Sequence, residues 1–458
     1  MARVLLISCN TTREPYPVYP LGMTMVAEAV REQGHEVRQC DLLQMDSQSQ
    51  NVEEVVQSFR PDVVGLALRN IDNIDSADLD AYTDAYGDVS RSVRAATTAP
   101  IVLGGAGYSL FPDVLLEQVD ADYGIVGEAE VAFSELVEQL TAGGPPVQRI
   151  LRGDEPLSGA RIGALARAQE LASFYLQEGG MLNLQSKRGC AHRCAYCTYP
   201  LLEGCTYRFR PPADVVNEIE MLRDRFGAEY IAFTDSVFND QQGHYLSIAE
   251  ELVRRKNQVP WMAFFRPQRF DRRDVDLLTR AGLHAVEWGT DCTTDATLAG
   301  LCKDFTWAHV ETSNRLFAGA GVRNAHFVIF GGPDETEQTV QEGLANLDHL
   351  DNCVVFAFCG VRILPGTAVH ALAVEQGVVK RSDPLLPARF YYSSQVDEET
   401  LHETVMHRFD GRIDRIYPMG DELDRVKVFH RLGHRGPIWD LLLDGKGRRQ
   451  QSRRGAEK

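Results

Sequence analysis

The sequence lacks any long apolar run and is sparing in cysteine. Nowhere do about 18 uncharged apolar residues follow one another, so we predict no membrane-spanning helix. The opening MARVLLISCN leads directly into a strand-like pattern without a signal-peptide cleavage pattern, so we expect a cytoplasmic protein. Ten cysteines in 458 residues do not form a disulfide framework, and clustered cysteines in a reducing compartment indicate metal binding.

Basic residues are also few. Lysine and arginine number 47 against 65 aspartate and glutamate residues, which gives a formal net charge of −18. Because nucleic-acid binders need a basic surface, this charge disfavours a nucleic-acid partner. The apolar and charged fractions, 44% and 24%, are typical of a globular protein.

Two successive alternations of short apolar runs and helical patterns divide the chain. The first predicts an α/β, doubly wound, Rossmann-like domain of five parallel strands over residues 1–145. Residues 146–180 lack a clear period and are interpreted as a linker with one helix. The second alternation, over 181–380, contains six β/α units, too few for a closed eight-stranded barrel, and predicts an open six-stranded (β/α)6 partial barrel. Residues 381–458 are predicted to form a small C-terminal extension with a disordered basic tail.

Three cysteines lie within the stretch SKRGCAHRCAYCTYP, directly after the first predicted barrel strand. Active sites of such folds lie at the C-terminal strand ends, where Cys190, Cys194 and Cys197 fall. Structural zinc usually takes four ligands in paired units, and the second pair is missing. Cys205 or His192 could complete a zinc site, so zinc is the alternative. Three thiolates on a four-iron cluster instead leave one iron open for catalysis.

The spacing Cys-x3-Cys-x-aromatic-Cys, with Tyr196 as the aromatic residue, resembles the radical SAM superfamily motif. The resemblance implies a [4Fe-4S] cluster on Cys190, Cys194 and Cys197, whose open iron binds S-adenosylmethionine (SAM). It also implies an electron donor such as flavodoxin or ferredoxin. Reductive cleavage of SAM would then yield a 5′-deoxyadenosyl radical that abstracts hydrogen from a small-molecule substrate.

Further barrel segments resemble the same superfamily. In FTDSVFN, Asp235 and Ser236 stand where many members carry a Gly-Gly-Glu motif that contacts the SAM amino group. In VEWGTDC, Asp291 replaces a glutamate that reaches the ribose. GLCKDFT and FGGPDET resemble two other family segments. Each acidic residue is equally interpretable as a helix cap or a solvated loop residue.

A glycine cluster follows the fourth predicted strand of the first domain, in LGGAGYSLFP. Such glycines let a backbone approach a ligand closely, and a side chain at Gly105 would occupy that ligand's space. Together with LALRNIDN and YGIVGEAE, the stretch resembles the cobalamin-binding domain of one radical SAM subfamily. The resemblance implies a cobalamin site that includes Asn70, Asp72, Gly104, Gly105, Gly107, Tyr108 and Glu128.

The first domain lacks the Asp-x-His-x-x-Gly motif with which other corrinoid proteins place a histidine on cobalt. His35 is its only histidine, so we expect no histidine ligand. A degenerate domain without a ligand is the alternative.

The resemblance implies a cobalamin-dependent radical SAM enzyme that C-methylates an unactivated carbon of a small molecule or natural product. Cyclisation, ring contraction or another rearrangement without methyl transfer, and a non-catalytic corrinoid or redox sensor, are the alternatives. Methylthiolation is disfavoured because it needs three further cysteines, and the first domain has only Cys9 and Cys40. Cys205 is a candidate catalytic hydrogen-atom donor or sulfur ligand. The candidates for lining the substrate space are His192, Tyr196 and Arg266.

Overall fold

The computed structural model describes residues 1–13, 15–47, 51–163, 166–418 and 428–443. The predicted basic tail lies outside these ranges. Within them, no helix has both the length and the apolar composition needed to cross a bilayer.

The first domain is a parallel sheet with helices between successive strands. Its strands are β1 (Arg3–Ser8), β2 (Glu36–Asp41), β3 (Val63–Ala67), β4 (Ile101–Gly104), β5 (Tyr123–Gly127) and β6 (Ile150–Gly153). Its helices are α1 (Leu21–Glu32), α2 (Leu42–Ser47), α3 (Val52–Phe59), α4 (Thr83–Ala96), α5 (Ala106–Leu110), α6 (Pro112–Gln118) and α7 (Glu130–Thr141). The strand order β2-β1-β3-β4-β5-β6 reverses direction between β1 and β3. This switch point opens a crevice at the C-terminal strand ends, where α/β sheets bind ligands.

The described part of this sheet has six strands, one more than predicted. The additional strand, β6, lies in the predicted linker and pairs with β5 in parallel, with Gly124 opposite Ile150. It is a short edge strand that is mostly half-buried. An edge strand of this kind carries no strong apolar run, so the sequence pattern did not reveal it.

The second domain is an open parallel sheet whose strands alternate with helices. Its strands are β7 (Leu182–Leu184), β8 (Lys187–Arg188), β9 (Arg208–Phe209), β10 (Ile231–Phe233), β11 (Trp261–Phe265), β12 (Leu283–Asp291), β13 (Arg323–Phe330), β14 (Cys353–Cys359), β15 (Val361–Arg362), β16 (Phe390–Tyr391) and β17 (Arg415–Ile416). The order of the main sheet is β17-β14-β13-β12-β11-β10-β7, while β8 pairs with β9 and β15 with β16 as small antiparallel sheets. The predicted α/β architecture of a Rossmann-like domain followed by a partial barrel is confirmed.

The helices of this second part begin with α8, which precedes β7. They are α8 (Gln169–Gly179), α9 (Tyr199–Leu202), α10 (Pro212–Phe226), α11 (His244–Arg254), α12 (Arg272–Arg280), α13 (Asp295–Gly300), α14 (Trp307–Gly319), α15 (Glu337–Asp348), α16 (Ala368–Glu375), α17 (Glu398–Phe409) and α18 (Val428–Arg431). One face of α10 is buried through Val215, Ile219, Leu222 and Phe226, and the helix is capped by Gly227 in the left-handed conformation.

The main sheet contains a seventh strand, β17, from the predicted C-terminal extension. Its two residues pair with Val355 and Phe356 of β14. Arg415 fixes the strand, because its buried guanidinium donates to the carbonyls of Leu347, Leu350 and Cys353. These partners lie more than 60 residues earlier in the chain, so no local pattern indicated the strand.

Two apolar cores contain residues of both domains. One contains Val4 and Leu6 of β1, Tyr175 of α8, and Leu182 and Leu184 of β7, and the other contains Ile7 of β1 and Phe330 of β13. The other face of the barrel sheet forms a separate core, which the segment 428–443 covers with Trp439. The domains are therefore packed against each other through α8 and are not joined by a bare linker.

Glu287 of β12 is buried beside the core that contains Trp439. It accepts hydrogen bonds from Tyr16 Oη at 3.1 Å and Trp439 Nε1 at 2.9 Å. Burial raises the pKa of Glu287 to about 7, against the effect of these two hydrogen bonds. The carboxylate thus links the first domain and the C-terminal segment to the barrel interior.

We expect Glu287→Gln to increase stability at alkaline pH. The folded-state pKa lies above the unfolded value of about 4.3, so the wild type loses stability as pH rises from about 4.3 to about 7. Glutamine keeps an acceptor for both donors and does not ionise. In thermal melts at pH 8 the variant should exceed the wild type by up to about 3 kcal/mol, and at pH 5 by only about 1 kcal/mol. Glu342→Gln, at an exposed position, is the control. If Glu287→Gln were less stable than the wild type by the same amount at both pH values, the expectation would be contradicted.

Candidate functional site

The three predicted cluster cysteines share one loop, which we call the cluster loop, residues 189–207. It leaves the sheet after β8 and returns through β9, with Arg188 paired opposite Arg208 at its base. Gly189 has a φ of +89°, and a Cβ there would collide with the Thr206 carbonyl. The loop therefore closes tightly at its base, and only glycine fits at its first residue.

The cysteines of the cluster loop differ in burial. Cys190 is buried, Cys194 and Cys197 are partly exposed, and Cys205 is exposed. The Cys197 amide donates to the Cys194 carbonyl at 3.1 Å, which holds the second and third cysteines in one turn. The amide between them, at Ala195, donates to the Leu301 carbonyl at 3.0 Å and anchors the turn to the barrel.

Three thiolates in one loop fit a four-iron cluster with one iron left open. In a cubane cluster each thiolate binds a different iron, so the thiolates remain apart.

Buried cations surround the cysteines. Lys303 contacts Asp291, and its Nζ lies 5.3 Å from the ring centroid of Tyr196. Tyr196 Oη donates to Asp291 Oδ2 at 2.6 Å. Burial opposes a charge on Lys303, but Asp291 and Cys194 raise its pKa. A positive charge thus lies beside the thiolate that would hold iron.

A second charged group lies beside the same loop. Arg266 and His192 both contact Asp304, His192 through Nδ1 at 3.8 Å. Burial, together with the charge of Arg266, lowers the pKa of His192 to about 4. The imidazole is therefore neutral at pH 7.

Asp235 and Ser236 contact the residues at the start of the cluster loop. Asp235 is buried and accepts from the Ser186 amide at 2.7 Å and from the Ser186 hydroxyl, with Lys187 Nζ at 3.5 Å. Ser236 Oγ donates to the Gly189 carbonyl at 3.1 Å. Their predicted contact with SAM stays a prediction, and the contacts seen here orient the loop.

A cavity of about 340 Å³ lies between the two domains, at the crevice between β1 and β3. The first domain contributes Ser8, Arg69, Gly104, Gly105, Glu128 and Glu130, and the barrel side contributes Asn183, Arg188, Tyr199 and Glu203. Part of its wall is apolar, with Leu6, Val102, Ile125 and Phe133. An apolar pocket of this size with a few polar groups is typical of cofactor sites.

The glycines after β4 have distinct roles. A Cβ at Gly104 would meet no atom within 4 Å, and Gly104 lines the cavity, so the space beside it is open to a ligand. A Cβ at Gly105 or Gly107 would instead press on the backbone of Leu68. The expectation that a side chain at Gly105 would occupy ligand space is therefore corrected, because it would strain the neighbouring loop.

The remaining predicted cobalamin residues other than Glu128 lie away from the cavity lining. Asp72 is buried in an ion pair with Arg362 of β15 at 2.9 Å. Tyr108 is fully buried against Gly124, and the Asn70 carbonyl accepts from Tyr86 Oη. The structure thus gives Asp72 a role between the domains that its sequence position did not indicate.

His35 lies at the opposite edge of the first sheet, just before β2. Its Nδ1 accepts from the Ala2 amide at 3.1 Å, and its Nε2 is 2.7 Å from Glu138. The imidazole is therefore held by partners that do not line the cavity, and the expected absence of a histidine ligand on cobalt stays a prediction.

Sequence reasoning missed Arg69, Glu130, Arg188 and Arg208 as residues of this region. Arg69 lines the cavity, while the other three form ion pairs between the domains. Arg188 and Arg208 flank the cysteine stretch, and that position was the available signal. Their partners at residues 128 and 130 are far away in the sequence.

Fold and site together define a two-domain protein in which the crevice of a Rossmann-like sheet faces a loop with three cysteines. Two family models match the chain, the B12 binding domain over residues 7–137 and the Radical SAM superfamily over 184–345. The chain is therefore a cobalamin-dependent radical SAM enzyme, as predicted. The cofactors of this class are cobalamin, a [4Fe-4S] cluster and SAM; the three thiolates of the cluster loop fit the cluster, and the open cavity beside Gly104 fits a cofactor of the first domain.

Characterised proteins resemble the chain over most of its length. Tryptophan 2-C-methyltransferase of Streptomyces laurentii is 25% identical and covers 81% of this chain and 74% of its own. Cytidylyl-2-hydroxyethylphosphonate methyltransferase of Streptomyces wedmorensis is 23% identical over 91% of both chains. The structure of the radical SAM methyltransferase TsrM from Kitasatospora setae, with tryptophan substrate and a SAM analogue bound, has the same fold, with a TM-score of 0.85 over 100% of both chains at 22% identity.

Alanine at Cys190, Cys194 or Cys197 should abolish cluster binding, because a cluster held by two thiolates loses its ligation. Reconstituted wild type should contain about four irons and four sulfides per chain, and each variant far fewer. Cys205→Ala is the matched control and should keep the wild-type iron content. Zinc without iron in the wild type, or about eight irons per chain, would contradict the assignment of one cluster.

Gly104→Leu should reduce cobalamin retention and leave the iron content unchanged. The new side chain would enter open cavity space without displacing backbone. Gly144→Leu, on an exposed loop with equally open surroundings, is the control. Bound cobalamin is measured by absorption after gel filtration, and parallel loss of both cofactors would point to unfolding.

Proposed function

We propose that this enzyme transfers a methyl group to an unactivated carbon of a small molecule. The observation that carries the proposal is the shared cavity, where Gly104 and Glu128 of the first domain and Tyr199 and Glu203 of the cluster loop line one space. Methyl transfer to a short-lived radical requires the reacting groups to be held within contact distance. The resemblance to two methyltransferases along most of the chain supports the same reaction.

The residues of the site serve to bind the cofactors and to orient them. When bound, the cluster with SAM supplies one-electron chemistry, and cobalamin supplies the methyl group. Cys190, Cys194 and Cys197 would hold the cluster, and Lys303 places a positive charge beside it. The apolar wall of the cavity excludes water, which protects reactive species from side reactions.

A small-molecule substrate, and not a nucleic acid, suits a chain with a net charge of −18. We further propose that a flavodoxin or ferredoxin reduces the cluster, since radical SAM chemistry consumes electrons. A cluster held by only three thiolates requires a reducing compartment, so we place the enzyme in the cytoplasm.

The experiment uses the reconstituted enzyme with hydroxocobalamin, a strong reductant and SAM that carries a CD3 group. We expect S-adenosylhomocysteine and a CD3-labelled corrinoid even without substrate. Candidate small molecules, tryptophan first, are then screened for CD3 incorporation together with 5′-deoxyadenosine. Isomerised substrate with 5′-deoxyadenosine and no CD3 transfer would indicate rearrangement, and retention of both cofactors without SAM turnover would indicate a sensor.

A further inference from the structure

Four charged side chains are buried together between the two domains. They are Glu128 and Glu130, which follow β5, and Arg188 and Arg208, which belong to β8 and β9. We call this group the ionic clasp. Arg188 lies 2.7 Å from Glu130 and 3.2 Å from Glu128, and Arg208 Nη1 donates to Glu128 Oε2 at 3.0 Å. The exposed fractions of these side chains range from 6% to 17%.

The clasp binds both ends of the cluster loop at once. Arg188 directly precedes the loop, Arg208 directly follows it, and the two arginines are paired opposite each other in the β8–β9 ladder. Arg208 also donates to the carbonyl of Glu203 inside the loop at 3.0 Å. The Glu128 carboxylate therefore contacts the two positions between which all three cluster cysteines lie.

The same carboxylates face the cofactor cavity. Glu128, Glu130 and Arg188 line it together with Gly104. The backbone at Glu128 is fixed, because a Cβ at Gly153 of β6 would collide with the Glu128 carbonyl, and Gly127 has a φ of +87°. Burial alone would raise the pKa of Glu128, but the hydrogen bond from Arg208 and the charge of Arg188 lower it, so the group is ionised at pH 7.

Filling the cavity changes the surroundings of the clasp. The clasp residues are already mostly withdrawn from water, so most of the desolvation cost is met before a ligand binds. A ligand that displaces the remaining cavity water lowers the local dielectric and strengthens the attraction between the charges. The stronger attraction holds the base of the cluster loop more firmly.

We propose that Glu128 couples the two cofactor sites, so that cobalamin in the cavity stabilises the cluster in its loop and the cluster stabilises bound cobalamin. Glu128 is a positioning residue that acts through Arg188 and Arg208. The coupling is reciprocal, as linkage between two binding sites requires. It concerns cofactor binding and holds whichever reaction the enzyme catalyses.

The test measures iron loss from the reconstituted enzyme to a chelator, with and without hydroxocobalamin. In the wild type, cobalamin should slow iron loss about fivefold or more, and cobalamin affinity should be several-fold lower in protein without a cluster. In Glu128→Gln both factors should approach one while both cofactors still bind. Glu117→Gln, whose exposed carboxylate lies 2.7 Å from Arg149, is the matched control and should keep the wild-type coupling.

A second variant keeps the test decisive if Glu128→Gln does not fold, as judged by circular dichroism. Arg208→Lys retains the charge but cannot contact Glu128 through two nitrogen atoms. In this variant cobalamin should still slow iron loss, but by a smaller factor than in the wild type. Absence of coupling in the wild type, or undiminished coupling in a folded variant of Glu128 or Arg208, would overturn the proposal.

Discussion

The structure depends on buried ion pairs that hold the C-terminal strand ends of two parallel sheets against each other. On one side, Glu128 of the first domain binds Arg188 at the base of the cluster loop. On the other side, Asp72 binds Arg362, which also donates to the Leu385 carbonyl at 2.8 Å. The cavity is lined by residues of both domains. Breaking one buried pair by removing a partner costs about 3–5 kcal/mol, so these contacts strongly favour one relative placement of the sheets.

This placement explains why neither sheet alone forms the site. A parallel sheet offers a crevice only at its C-terminal edge, where its loops diverge. The first domain contributes the apolar wall and Gly104, whereas the barrel contributes Tyr199 and Glu203 from the cluster loop. Two cofactors that act on one substrate would need this arrangement, because the reacting groups must be held within contact distance of one another.

The sequence was most informative where chemistry imposes a local pattern. The spacing of Cys190, Cys194 and Cys197, and the alternation of apolar runs with helices, predicted the cluster loop and both sheets. Edge strands were not predicted: β6 is largely half-buried and β17 has only two residues, so their positions depend on tertiary hydrogen bonds such as those of Arg415. Neither strand has a period that a single sequence could reveal.

The acidic residues near the motifs show a second reason why prediction from the sequence was incomplete. A family motif indicates where a ligand lies. The charge of a buried carboxylate, however, must first be balanced by hydrogen bonds or ion pairs from the chain itself. Asp235 is compensated by Ser186 and Lys187, Asp72 by Arg362, and Asp291 by Tyr196 and Lys303. Each of these contacts fixes a loop at the edge of the site. Because the partners come from other strands, only the folded chain shows that residues resembling ligand contacts also hold the loops in which the ligands would bind.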